Sequence, residues 1–478
     1  MLKRFFCIFT CIFFVSSIYS QKYQTGCVLN DTNYQSIPIK AKLLQKDYQA
    51  FVSKISLKNY CPVPGNQSPY SNCTAWATAY AARTILYAIQ NNITDKEKIT
   101  EKVFSPWYIY TKIKPSYDID CSSGTDITYA FNKMIVYGVP FFYDFNVSCP
   151  ASIPADVEKK AALNKIQDYN RLFNINDSEE FKIASIKKSL SENLPVVIGI
   201  ICPNSFFAAQ NIWIPVEDPN NCPSCSGHAL CIIGYDDNVA GGAFEIMNSW
   251  GYLWGNDGFI WVKYSDLARF TKYAVEPVPY QKIKPDEPAK NDLACSISLI
   301  LSNNQEIKAV ALSSVEDNED NIDGLPEIIK YKTTGSLISG QQYRMYLSIN
   351  EPAFVYVFCS DLTNNVSKLF PHDKSVSPFL CYKKNNIAIP DEDHLITLDN
   401  TKGKDFLCFL YSKTPLDIDA ILDQLKEKNG DIYERLQNIL DDKLVLKRNI
   451  QFAKNELDFS AKSENKECLA VIIEMKHL

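Results

Sequence analysis

Histidine is scarce in this chain: four among 478 residues, at His228, His372, His394 and His477. No basic run of any length occurs and the formal charge is −6, so the electrostatic footprint of a nucleic-acid binder is missing. Beyond the N-terminal segment no apolar stretch resembles a membrane-crossing helix. Neither a repeat of solenoid period nor a low-complexity tract is found. What is present is a globular composition, 46% hydrophobic and 22% charged, in a length that suits two or three domains.

The chain opens MLKRFFCIFTCIFFVSSIYS. Lys3 and Arg4 precede an apolar run at 5–15, and small residues follow, the pattern of a secretory signal cut after Ser20. A run of 11 residues is too short to anchor the chain across a bilayer. A secreted or periplasmic protein is therefore expected. Of the 16 cysteines, Cys7 and Cys11 leave with the signal, and the rest enter a compartment where disulfides form. If one of the remaining fourteen is a working thiol, at least one more must be unpaired. Cys231, Cys359 and Cys408 lie in apolar strand-like runs and suit buried thiols.

Five segments follow from texture: the signal (1–20), a short leader (21–50), a Trp- and Tyr-dense region (51–279), a polar linker with two prolines (280–292) and a β-rich remainder (293–478). In the last, QYRMYLSI, FVYVFCS, DFLCFLYS and ECLAVIIEM read as strands. Residues 417–440 have helical spacing, broken into two helices at Asn429 and Gly430. The fold class expected is α+β.

The chemistry gathers in the 51–279 region. GNQSPYSNCTAWATAYAAR runs from Gly65 to Arg83, and the spacing of Ala77, Ala81 and Ile85 predicts a buried helix over 74–90. Cys73 stands at its start, where unpaired backbone N–H groups and the helix dipole favour negative charge and lower a thiol pKa. The alternative is a buried structural cysteine. A nucleophilic cysteine needs a base, and His228 is the one histidine before the linker. SGHALCIIGYDD and AFEIMNSWG, separated by NVAGG, form a hairpin turning near residue 240, with partner numbers summing to about 480. That register returns Asn248 and Trp250 to the end of the ribbon that holds His228, where an asparagine carbonyl can accept from one imidazole nitrogen.

These residues resemble the papain-like cysteine peptidases. The resemblance covers 51–280 and rests on Gln67 six positions before Cys73, on GHALCIIGY around His228, and on NSWGYLWGNDGF from Asn248 to Phe259. It implies a two-lobed fold, one lobe helical and the other β-barrel-like. It implies peptide-bond hydrolysis with no metal or cofactor. By the resemblance Cys73 attacks the carbonyl, His228 forms an ion pair with it and protonates the leaving amine, and Asn248 orients the ring. Gln67 and the Cys73 N–H form the oxyanion hole, and Trp250 shields the Asn–His hydrogen bond. His228 lies 155 positions after Cys73 and Asn248 lies 175 after it, so insertions are implied, with 148–172 one place for them.

The departures are local. Tyr70 stands where the family has a cysteine, so Cys121 loses its expected partner and must pair elsewhere if it pairs. Thr74 replaces a tryptophan that lines the primed side of the cleft. Residues 21–50 are too few for the long helical pro-segment that lies backwards through family zymogens, and export, folding or the C-terminal domain are the other means of restraint. Cys222 and Cys225 lack a second pair of zinc ligands, so a disulfide or constrained loop is expected. Seven Asn-x-Ser/Thr patterns include one at Asn72, beside the nucleophile, which fits manufacture where such sites stay unmodified, as in bacteria. DNEDNID (317–323) lacks the remainder of a calcium loop. Residues 325–415 resemble a bacterial domain of unknown function found attached to peptidases, a binding or positioning module whose ligand is unknown. Endopeptidase action on proteins or peptides is the leading expectation. An exopeptidase of the same fold and a non-catalytic binding or adhesion protein on this scaffold are the alternatives.

Overall fold

The computed structural model describes residues 23–44, 47, 51–280, 292–312, 324–363, 365–381, 386–427 and 430–478. The signal (1–20), most of the linker, the acidic loop at 317–323 and Asn429 lie outside these residues. No helix among the described residues is long and apolar enough to cross a membrane.

The peptidase-like half pairs a helical layer with one sheet. The central helix begins at Cys73 and continues through Cys73–Ala75, Trp76–Arg83 and Thr84–Gln90. Its N-terminal three-quarters are buried on every side, as suits a helix apolar all round. Trp76–Arg83 is π-helical, where the sequence spacing predicts an ordinary α-helix. Thr84 helps hold the looser turn: its hydroxyl donates to Ala79 O five residues back at 3.5 Å and accepts from Phe104 N–H at 3.1 Å. Pro106–Ile113 and Ile127–Val136 pack beside this helix, each with a Ser or Asp N-cap.

The sheet runs in the order Asp168–Arg171, Thr271–Val278, Val196–Cys202, Ser226–Asp236, Ala243–Met247, Phe259–Lys263 and Ile212–Trp213. Lys54–Ser56 adds to Ser226–Asp236. The path stays open, with Asp168–Arg171 and Ile212–Trp213 as its ends, so the expected barrel-like lobe is an open sheet. The 148–172 region supplies the helix Ala155–Ala161 and the edge strand Asp168–Arg171. The expected hairpin forms with Cys231 opposite Met247 and Asp236 opposite Ala243, a register one or two residues from the sequence expectation. A bulge between Ile232 and Gly234 absorbs the extra residue.

The C-terminal half is a two-sheet sandwich with two helices. Seven strands, with Cys468–His477 and Gly403–Ser412 at the centre, face six built around Leu293–Leu301 and Gln342–Ile349. Gln342–Ile349 alternates buried and less-buried residues because only one of its faces meets the core. Cys468–His477 is buried almost throughout, because Ile418–Glu427 and Ile432–Leu440 cover its other face.

The two halves share a core: Leu86, Leu194 and Val278 cluster with Phe354, Phe379 and Leu410. Across the same junction Ile39 pairs with both Arg171 and Val376, and Gln167 Nε2 donates to Lys413 O at 3.0 Å. Buried Lys40 forms ion pairs with Glu192 at 2.9 Å and Glu276 at 2.8 Å. Glu192 also accepts from the Cys381 thiol at 3.1 Å.

Candidate active site

Cys73 is fully buried at the first turn of the central helix. Its sulfur accepts from the backbone N–H of Ala229 at 3.4 Å and sits by the helix-start N–H groups of Cys73 and Thr74, which favour its thiolate. Ala229 follows His228 on the strand Ser226–Asp236, so this bond joins the helical layer to the sheet at the thiol. The His228 ring is fixed from two sides. Its Nε2 lies 2.9 Å from Asn248 Oδ1, and Trp250 stacks on it at 4.6 Å between centroids and 18° between planes. Its Nδ1 is buried with no hydrogen-bond partner. Asn248 Oδ1 also accepts from Ser249 N–H at 2.7 Å, which fixes the amide.

Gln67 is held by the segment that carries Trp250. Its N–H donates to Ser249 O at 2.8 Å and Gly251 N–H to Gly65 O at 2.9 Å. The side-chain oxygen accepts from Ser249 Oγ at 2.6 Å, while Nε2 donates to Tyr70 O at 2.9 Å. One N–H of the amide is left over. Ser249 was missed from sequence, although it lies inside the NSWG stretch; nothing there reveals that its hydroxyl fixes Gln67. Thr74, in place of the family tryptophan, is buried and donates to Thr125 O at 2.8 Å, tying the helix to the loop after Cys121.

Residues 23–29 of the leader run through the groove, few as they are. Cys27 forms a parallel bridge with Thr125; Thr125 N–H donates to Gly26 O at 2.8 Å and Val28 N–H to Thr125 O at 2.9 Å. On the opposite wall Cys27 N–H donates to Gly227 O at 2.9 Å. Tyr23 stacks on Trp250 at 5.0 Å, and Trp250 Nε1 donates to Gln24 O at 2.7 Å. Glycine permits this approach: a Cβ on Gly26 would lie 2.1 Å from Ser71 O, and one on Gly227 would lie 1.9 Å from Cys27 O. Leu29 packs against Gly199 and Gly227.

Burial under this segment overturns one expectation. Desolvation pushes the Cys73 thiol up to about 12, outweighing the N–H groups at the helix start that favour the thiolate. Desolvation likewise lowers His228 to about 4, against the Asn248 hydrogen bond, which raises it. With the groove filled, burial shifts both groups towards their neutral forms, whereas helix position alone predicts a shift towards the thiolate.

Other expectations resolve simply. Cys121 pairs with Cys149 and Cys222 with Cys225. Cys231 and Cys408 are buried thiols, and Cys359 is half-buried. Asn72 is wholly buried, so the folded chain offers no room for a glycan there.

Residues 111–278 match the model of the papain family of cysteine proteases. That stretch contains His228, Asn248 and Trp250 and begins after Cys73. An uncharacterized peptidase C1-like protein of Acanthamoeba polyphaga mimivirus is 26% identical over 216 residues, 42% of this chain and 65% of that protein. A probable thiol protease of Glycine max is 28% identical over 114 residues, 22% of this chain and 29% of that protein. The chain thus spans less than two thirds of the length of either relative. Among solved structures, xylellain, a cysteine protease from Xylella fastidiosa, aligns with 54% of this chain and 96% of its own at 20% identity and a TM-score of 0.44. The chain carries a papain-family cysteine peptidase domain.

Proposed function

We propose that this chain is an exported cysteine endopeptidase, with 51–279 as its catalytic domain, that hydrolyses peptide bonds in proteins or peptides through Cys73, His228 and Asn248. In the open state Cys73 gives its proton to His228 and attacks the scissile carbonyl carbon. The carbonyl oxygen becomes an oxyanion, met by the Cys73 N–H and the spare N–H of Gln67. His228 then passes its proton to the leaving amine, and water releases the acyl group by the reverse sequence. Asn248 keeps Nε2 of the ring engaged, so that Nδ1 is the nitrogen that exchanges protons with sulfur. Trp250 covers the Asn–His pair and keeps water from competing for it. The state described above is a latent one, because residues 23–29 fill the groove and burial disfavours the charged forms of the pair.

The observation that carries this reading is the meeting of three chain segments. The His228 ring is pinned by Asn248 beneath Trp250, and the very next backbone N–H bonds the Cys73 sulfur. The test is labelling of the reduced protein by a thiol-directed epoxide, followed by cleavage of a peptide library. Labelling at Cys73 that disappears in Cys73→Ala, with cleavage inside peptides, is expected. A folded protein whose Cys73 stays unlabelled would favour a binding role, and trimming from peptide ends would favour an exopeptidase.

A further inference from the structure

Residues 23–29 bring a second thiol to the nucleophile. Cys27 is buried between the two groove walls, with its backbone on Thr125 on one side and Gly227 on the other. Thr74, the residue after Cys73, donates its hydroxyl to Thr125 O at 2.8 Å, and Cys27 is bridged to that same Thr125, so the two thiols occupy adjoining seats on one groove wall. Neither is among the disulfide-bonded cysteines. A further buried thiol, Cys202 at the end of Val196–Cys202, lies opposite Ser226, two residues before His228. It sits on a central strand paired on both sides, whereas Cys27 sits on a segment held by a handful of backbone bonds.

We propose that Cys27 and Cys73 form a reversible disulfide that locks the occupied groove, making the nucleophile a redox-controlled modification site. The inference rests on the peptidase reading for its consequence, loss of activity, but the bond itself does not. With residues 23–29 lifted, Cys73 loses its proton to His228 and attacks one sulfur of a low-molecular-weight disulfide. That sulfur–sulfur bond breaks, a Cys73 mixed disulfide forms, and one small thiolate leaves and takes up a proton. As the segment reseats, the Cys27 thiolate attacks the Cys73 sulfur. The Cys27–Cys73 bond forms, the mixed disulfide breaks, and a second small thiol departs. Two protein thiols are oxidised and one small disulfide is reduced to two thiols. Excess small thiol runs the same exchange backwards and frees Cys73.

The experiment equilibrates the full chain with mixtures of oxidised and reduced glutathione, quenches with acid, and maps disulfides by non-reducing digestion and mass spectrometry while activity is followed. Expected is a Cys27–Cys73 cross-linked peptide that grows as activity is lost and vanishes as dithiothreitol restores it. In Cys27→Ser and Cys27→Ala the bridge is absent and oxidised Cys73 instead carries glutathione. Glutathione on Cys73 as the sole oxidised form of the unmodified chain, or a Cys73–Cys202 bridge, would overturn the proposal. Epoxide labelling of the reduced chain separates the two failures: a labelled Cys73 that never bridges sinks this inference alone, and an unlabelled Cys73 sinks the peptidase reading.

Discussion

Two buried histidines, one in each half of the molecule, sit at similar distances from their partners and do different things. His228 has Asn248 at 2.9 Å; His477 has Asp405 Oδ2 at 2.9 Å from Nδ1 and Ser339 Oγ at 3.0 Å from Nε2. By distance alone the second set has the members of a serine hydrolase triad. Its surroundings do not. The His477 and Asp405 atoms are at ion-pair distance but not aligned for a hydrogen bond. The backbone N–H groups around Ser339 are already spent: Ile338 on Gln341 Oε1, Gly340 on Leu398 O, Gln341 on Ile338 O. None of these three is left for an oxyanion. Beside Cys73 the converse holds: one N–H of the Gln67 amide remains unspent. Unspent polar groups beside a nucleophile, more than distances, separate a reactive site from a structural cluster.

The sharpest way to break this contrast is to remove each ring. His228→Ala is expected to lower kcat/KM by on the order of 10⁴-fold while the fold survives, measured on a peptide substrate alongside circular dichroism. Equal activity in that variant would remove the mechanism. Gln67→Ala is expected to cost about 10²–10³-fold, mainly in kcat, because the lost donor meets charge that exists only in the transition state. A change confined to KM would show Gln67 to be a ground-state contact.

Acid tests the same comparison through stability. Burial holds His228 at about 4, against about 6.5 for an unhindered imidazole, so between these values the folded state binds fewer protons than the unfolded chain. Its contribution is full above about pH 6.5 and is lost as pH falls towards 4, on the order of 3 kcal/mol in all. Melting temperatures of the unmodified chain and His228→Gln should converge over that window; parallel curves would mean that the ring is solvated. The smallest effect is expected from His477→Ala: a loss of about 2 kcal/mol in stability, with activity unchanged within a factor of about two. Loss of activity there would make the second cluster more than structural.

The core of the site was legible because its signals are local or add up along one ribbon. Cys73 opens a helical run, His228 has no competitor before the linker, and two strands with one turn fix where Asn248 returns. The strands at Gln342–Ile349 and Cys468–His477 were legible from their aromatic and β-branched runs. Other features depend on contacts that no spacing encodes. The seat of Cys27 needs Thr125 and Gly227, far away in sequence and alike only in meeting at one groove. The upward shift of the Cys73 thiol follows from burial, so helix position alone gave the wrong direction. The partner of Cys121 and the open edges of the sheet are likewise products of assembly.

Ile39 carries a thermodynamic consequence. Its backbone is shared between Arg171 in one half and Val376 in the other, ten residues after the end of the segment that covers Cys73. Parting the two halves must break one of its two bridges, so their separation carries that cost.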